Sequence, residues 1–206
     1  EILKQYSKKI RKNIKKSERE GLRIYEATGR DDLEIYYGLY LQRMMELGTP
    51  PAPKKFWINL WDHFWPQRFK LIFTLYKGIH IAAFAALIHK KRLYFLLNVS
   101  DSRQWKLRGL NDTLFDWYIR FACEEGIEEV DFGRTRYGTG VMEFKEKGWG
   151  CFPLEVCKYY HYLHGGENPL DRSLQSNFYA KAWRRFIPRM AAPALGYVIR
   201  KNAGDA

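Results

Sequence analysis

Glu129-Val130-Asp131-Phe132-Gly133-Arg134 and, a little further on, Phe144-Lys145-Glu146-Lys147-Gly148-Trp149-Gly150 decide how this chain is read. The first stretch is an apolar strand that ends in an acid, a glycine and an arginine. A glycine-spaced loop, Tyr137-Gly138-Thr139-Gly140, leads into a short helix that carries Lys145 between the aromatic rings of Phe144 and Trp149. The order sets one acid and two permanent cations at a strand end and on the helix that follows it. Ligands of α/β sheets bind at such places.

Working outward, the strand is preceded by a helical pattern over 110–125, with Leu110, Leu114, Tyr118, Phe121 and Ala122 on one face and Gly126 as its stop. Before that helix lie three strand signals, at 70–76, 80–89 and 92–99. Lys77-Gly78 and Lys90-Lys91 supply the turns of an antiparallel meander. Further upstream, 22–26 alternates as a strand, and Asp31 or Asp32 caps a helix that Gly48 ends. A Pro50, Pro51, Pro53 loop follows, then a Trp-rich helix closed by Pro66. On the other side, 152–163 is rich in β-branched and aromatic residues and reads as one more strand. Periodicity alone predicts an α+β chain with a mixed sheet.

The 206 residues carry 46% hydrophobic and 17% aromatic side chains, enough for a packed core. A net charge of +12 favours polyanionic partners: tRNA, nucleotide-sugar phosphates or an anionic membrane surface. Three cysteines, Cys123, Cys151 and Cys157, without a CxxC spacing support neither a disulfide framework nor a zinc site. They read as buried thiols of a reducing compartment, which places the protein in the cytoplasm. His161 and His164 have no metal-ligand partner set, and no metal is expected. The apolar run 79–88 is too short to span a bilayer and reads as a buried strand. The chain begins at Glu1 inside a helical pattern and reads as a piece of a longer protein.

Three segments in order, residues 7–24 (SKKIRKNIKKSEREGLRI), 39–57 (LYLQRMMELGTPPAPKKFW) and 131–150 with its DFGRT and GTGVMEFKEKGWG, resemble Fem-type peptidoglycan aminoacyltransferases. They resemble still more the Fem-like proteins associated with exosortase and exopolysaccharide systems. Both groups belong to the GNAT acyltransferase superfamily. The resemblance implies a three-layer α/β fold with a central mixed, mostly antiparallel sheet flanked by helices. It also implies the second of two GNAT copies, with an N-terminal copy missing. It divides the chain into a basic linker helix (1–21), a GNAT-like domain (22–164) and C-terminal basic amphipathic helices (165–206).

The resemblance assigns Lys145 its role and sets the Gly-rich turn of relatives beside residues 100–109, while residue chemistry suggests roles for the others. Lys145 would stabilise the charge that develops during acyl transfer, as a fixed cation near the oxyanion. Arg134 would bind phosphate or carboxylate, or pair with Asp131. Asp131 would accept a proton from the attacking amine, or hold Arg134. Tyr137, Phe144 and Trp149 would line the substrate cleft or pack in the core. Ser100 and Asp101, with Arg108 and Gly109, occupy the place where acetyl-CoA-using relatives carry a Gly-rich turn at a helix N-terminus. Only Arg108-Gly109 of that turn is present, which favours a bulkier donor.

The expected function is therefore acyl or aminoacyl transfer to an amine acceptor in cell-envelope or exopolysaccharide biosynthesis. The donor is either aminoacyl-tRNA or acyl-CoA. Two alternatives stay open: an acyl-CoA-dependent N-acyltransferase, and a non-catalytic domain that docks on a membrane or polyanion. For docking, the chain offers a basic helix at 4–19 and an acid-free stretch at 178–201. That stretch holds Lys181, Arg184, Arg185, Arg189, Arg200 and Lys201 among apolar residues at helical spacing, with Pro188 and Pro193 dividing it into two helices. Such a stretch suits the inner face of a membrane.

Overall fold

The structure, a computed structural model, describes residues 4–101, 103, 109–156 and 172–203. It forms two compact units, Glu1–Arg43 with Lys54–Cys151 and Met44–Pro53 with Phe152–Ala206. The first unit is built on one sheet. Its strands are β1 (Arg23–Glu26), β2 (Phe69–Tyr76), β3 (Ile79–His89), β4 (Arg92–Ser100) and β5 (Glu129–Asp131), in that order across the sheet. Neighbours are antiparallel except β4 and β5, which run parallel. The mixed, mostly antiparallel sheet flanked by helices agrees with the expected fold class.

Sequence patterns account for these elements directly. The meander β2–β3–β4 turns at Lys77-Gly78 and at Lys90, whose positive φ angles suit tight hairpins. Helix α1 (Lys8–Arg19) is capped by the Ser7 side chain, which accepts from the Ile10 amide. In α2 (Arg30–Leu47), Asp32 reaches back to accept from the Thr28 and Gly29 amides at 2.7 and 3.3 Å. On the face that carries Phe69 and Phe73, the Trp-rich helix α3 (Lys54–Phe64) brings Trp61 against Phe69 and Trp57 against Tyr36 and Tyr40 of α2. On the opposite face, Ile72, Phe84 and Leu93 pack against Leu110, Leu114 and Tyr118 of α4 (Leu110–Glu124). Tyr118 is fully buried, and its hydroxyl donates to the Phe84 and Lys70 carbonyls, so its polar end is satisfied.

Helix α1 belongs to this first unit. Its apolar edge, Tyr6, Ile10 and Ile14, is buried with Ile119 of α4 and with Trp149. The seam is close. Gly109, at φ 90°, starts α4, and a Cβ there would fall 2.4 Å from the Asn13 carbonyl oxygen. Two polar links cross the seam: Asn13 Nδ2 donates to Asp112 at 2.8 Å, and the hydroxyls of Ser17 and Thr113 share a hydrogen bond at 2.5 Å.

After β5 the chain forms α5 (Gly140–Glu143), which continues as a π-helical turn, Phe144–Gly148. Of the strand expected at 152–163, residues 152–156 are irregular and exposed, and 157–163 lie outside the described residues. Apolar β-prone residues form a strand only where a ladder partner meets them, and no strand pairs with 152–156 among the described residues. The two expected C-terminal helices are α6 (Arg172–Phe186), which ends before Pro188, and α7 (Ala192–Ala203), which holds Pro193 in its first turn; both lie in the second unit.

Candidate active site

The parallel pair β4–β5 is short. Arg92, Leu93 and Tyr94 pair with Glu129, Val130 and Asp131, and there the ladder stops. β4 runs on for six more residues, Phe95 to Ser100, paired with β3 alone. Among the described residues no strand covers its other edge. Just past the point of divergence β4 carries a bulge. Ala86 faces Phe95 and Ala85 faces Leu97, so Leu96 is the extra residue. A bulge leaves its residue out of the ladder and twists the strand, and bulges concentrate beside active sites.

The chain leaving β5 lies against this opening. The rings of Phe132 and Phe95 are 4.9 Å apart, and a Cβ on Gly133 would lie 3.6 Å from the Phe95 carbonyl oxygen. Asp131 Oδ1 accepts from the Gly133 amide at 2.7 Å, which closes a tight turn. Lys145 then locks the loop. Its ammonium donates to the Phe132 carbonyl at 2.5 Å, the Gly133 carbonyl at 2.9 Å and Thr135 Oγ1 at 2.5 Å. An ammonium has three N–H bonds, and all three are used. Burial pulls the Lys145 pKa below the usual lysine range, opposed by electrostatic interaction with Cys151 and Asp131. Burial pushes the half-buried Cys151 thiol up to about 11, so it is a neutral thiol at physiological pH.

The other sequence-predicted residues divide between the opening and the core. Arg134 is exposed on the loop, and no ion pair joins it to Asp131 among the described residues. Tyr137 is 86% exposed. Trp149 is 5% exposed and packs against Tyr6, Phe115 and Phe144, so it and Phe144 support the π-turn from beneath. Ser100 ends β4 opposite Ala82. Asp101 follows it, buried, and its carboxylate accepts a fork from Arg103 at 2.6–3.0 Å and one bond from Gln42 at 3.3 Å. The Arg103 hydrogen bonds hold the Asp101 pKa below the ordinary carboxylate value. Gly109 opens α4, and Arg108 lies outside the described residues.

Three participants carry no sequence signal of their own. The Leu96 bulge follows from the register of two strands. Thr135 and Gln42 become partners of Lys145 and Asp101 only through the fold. A fourth, Asn98 on β4, donates to Asn111 in the first turn of α4 at 3.2 Å, while its Oδ1 is buried without a partner. It ties the open strand to a helix N-terminus, where backbone N–H groups favour anions. Among the described residues no cluster of His, Cys, Asp and Glu could hold a metal ion, and no helix is long and apolar enough to cross a membrane.

With this geometry in place, similarity to known proteins is informative. The sequence model of the acetyltransferase (GNAT) domain matches residues 4–146. No curated protein sequence matches the chain. Among solved structures, FemX superposes with a TM-score of 0.63 at 12% identity, covering 72% of this chain and 55% of FemX. The chain thus spans little more than half of that protein. An aminoglycoside acetyltransferase, meta-AAC0020 from an uncultured soil metagenomic sample, in complex with sisomicin, gives a TM-score of 0.53 at 14% identity, with 68% and 96% coverage. The aminoglycoside N-acetyltransferase AAC(6')-Iy in complex with CoA gives 0.53 at 14%, with 69% and 95% coverage. At these identities the likeness is one of fold.

Proposed function

The chain belongs to the acetyltransferase (GNAT) domain family, and from that premise we propose that it transfers an activated acyl group to an amine at the divergence of β4 and β5. The observation that carries this reading is the parting of β4 from β5 after Tyr94, with the bulge at Leu96 just beyond it. A strand that parts from its neighbour binds an extended, amide-bearing chain by strand addition. The arm of an acyl-CoA is such a chain. The acylated end of an aminoacyl-tRNA offers ester and amine groups to the same edge. The N-terminus of α4 supplies the electropositive end that phosphates of either donor require, and exposed Arg134 adds a planar fork for a phosphate or carboxylate.

The chemistry is direct. The acceptor amine attacks the acyl carbon, a C–N bond forms, and the C–S or C–O bond to the donor breaks. The nitrogen loses its extra proton, and the leaving group gains one. Cys151, held as a thiol, is a poor nucleophile, which supports transfer without an acyl-enzyme. Lys145 acts here as a positioning residue. It fixes the two carbonyls and the hydroxyl that shape the loop beside β4. Direct contact of its ammonium with the oxyanion requires release of one of these three acceptors.

An amine on a cell-envelope precursor is the acceptor class that the Fem-type resemblance of residues 131–150 supports. The test is thermal shift with CoA, acetyl-CoA, aminoacyl-tRNA and nucleotide-sugar precursors, followed by an acyl-transfer assay with the donor that binds. The expected result is a raised melting temperature with one donor class and amide formation on an amine. A chain that binds no donor of either class overturns the reading.

A further inference from the structure

The second unit presents a surface that acyl transfer does not use. Helices α6 and α7 are held on the 44–53 segment of the same unit by backbone-level contact. A Cβ on Gly48 would fall 2.3 Å from the Ala180 carbonyl oxygen, and one on Gly196 would fall 2.4 Å from the Pro51 carbonyl oxygen. Arg184 donates to the Glu46 carbonyl at 3.5 Å and Arg200 to the Pro50 carbonyl at 3.0 Å. Trp183 and Ala192 are buried. These contacts set the rotation of both helices and so decide what faces out.

What faces out is both greasy and cationic. Phe178, Phe186 and Met190 are 70%, 71% and 95% exposed. Lys181 and Arg185 are exposed among them, and the Arg185 guanidinium lies 5.9 Å from the centre of the Phe186 ring. On α7, Leu195, Tyr197 and Ile199 are exposed beside Lys201. No acidic residue occurs from 172 to 203. Helix α1 makes a useful contrast. It is more basic still, but its apolar edge is buried against α4 and no large apolar side chain stands among its exposed charges.

We propose that α6 and α7 form a docking face for an anionic lipid bilayer. Charge alone attracts any polyanion. Highly exposed Phe and Met beside the charges fit a partner that is negative outside and hydrocarbon beneath. That is the interfacial arrangement of amphipathic helices lying in a membrane surface. The proposal stands apart from the acyl-transfer reading, since it rests on a different unit.

The test is co-sedimentation of the whole chain with vesicles of phosphatidylcholine alone and of phosphatidylcholine mixed with phosphatidylglycerol, at low and high salt. Two double variants, Phe186→Ser with Met190→Ser and Lys181→Gln with Arg185→Gln, are run beside it, with melting curves as a check on folding. Binding is expected to the anionic vesicles only, to fall with salt, and to drop by more than about tenfold in each variant at an unchanged melting temperature. Failure to sediment with anionic vesicles overturns the proposal. So does a face on which the serine variant binds vesicles as well as the parent, or on which tRNA displaces the chain from vesicles and depends on Lys181 and Arg185 alone.

Discussion

Lys145 shows how much a single side chain can be asked to do. Its three donors hold a turn together, and this makes a prediction that a free cation would not. Lys145→Met should lower acyl transfer by more than about tenfold and also speed amide exchange in the loop after β5, because the carbonyls lose their partner. Lys145→Arg should restore part of the loop protection. Unchanged exchange in Lys145→Met, with transfer lost, would mean that the ammonium acts on the reactants and not on the loop. Asp112 offers a test of the opposite sign. Burial, the largest effect, raises its pKa above the ordinary value despite the Asn13 hydrogen bond. A carboxyl raised in the folded state contributes stability below its unfolded pKa, near ~3.9, and loses that contribution as pH rises through the raised value. Asp112→Asn keeps an acceptor for Asn13 and removes the buried charge. It should therefore melt higher than the parent at neutral pH, with the gap closing as pH falls toward ~4. A variant that melts lower at neutral pH would refute this.

At the scale of elements, the seam between α1 and α4 is the most sensitive contact of the first unit. Gly109 needs a positive φ and lies against the Asn13 backbone. Gly109→Ala brings both a left-handed strain and an overlap with a carbonyl that has little room to give. A loss of about 2–4 kcal/mol in urea unfolding is expected. A loss below about 1 kcal/mol would show that the two helices separate easily. Much at this scale was legible beforehand. The meander, α4 and β5 follow from alternation, glycine stops and turn residues, all of which act over a few neighbours. The irregular course of 152–156 was not, because β propensity describes a residue on a sheet and says nothing of whether a sheet is near. The same gap hid the bulge at Leu96, which is a relation between two strands.

For the whole molecule, the prediction concerns where stability resides. β3 is buried on both faces from Ile81 to Ala86, α3 and α4 pack on opposite faces of β2, and β5 contributes three paired residues at the rim. In hydrogen exchange of the intact chain, β3 should open only with global unfolding, and residues 152–156 should exchange within the dead time. Rapid exchange in β3 would contradict the packing described. A donor that binds the β4 edge should slow exchange at 95–100 specifically, which ties stability to function in one measurement.

The amino-acid order by itself determined the succession of helices and strands, the mixed sheet and the acyltransferase lineage. Those depend on periodicity, turn chemistry and short motifs, all read within a few residues. Tertiary structure alone decided that β4 parts from β5 after Tyr94, that Lys145 spans three acceptors, that Trp149 lies inside, and that α6 and the connector to α7 turn Phe186 and Met190 outward. Each is a meeting of groups distant along the chain, set by how packed surfaces exclude one another, and no local pattern encodes it.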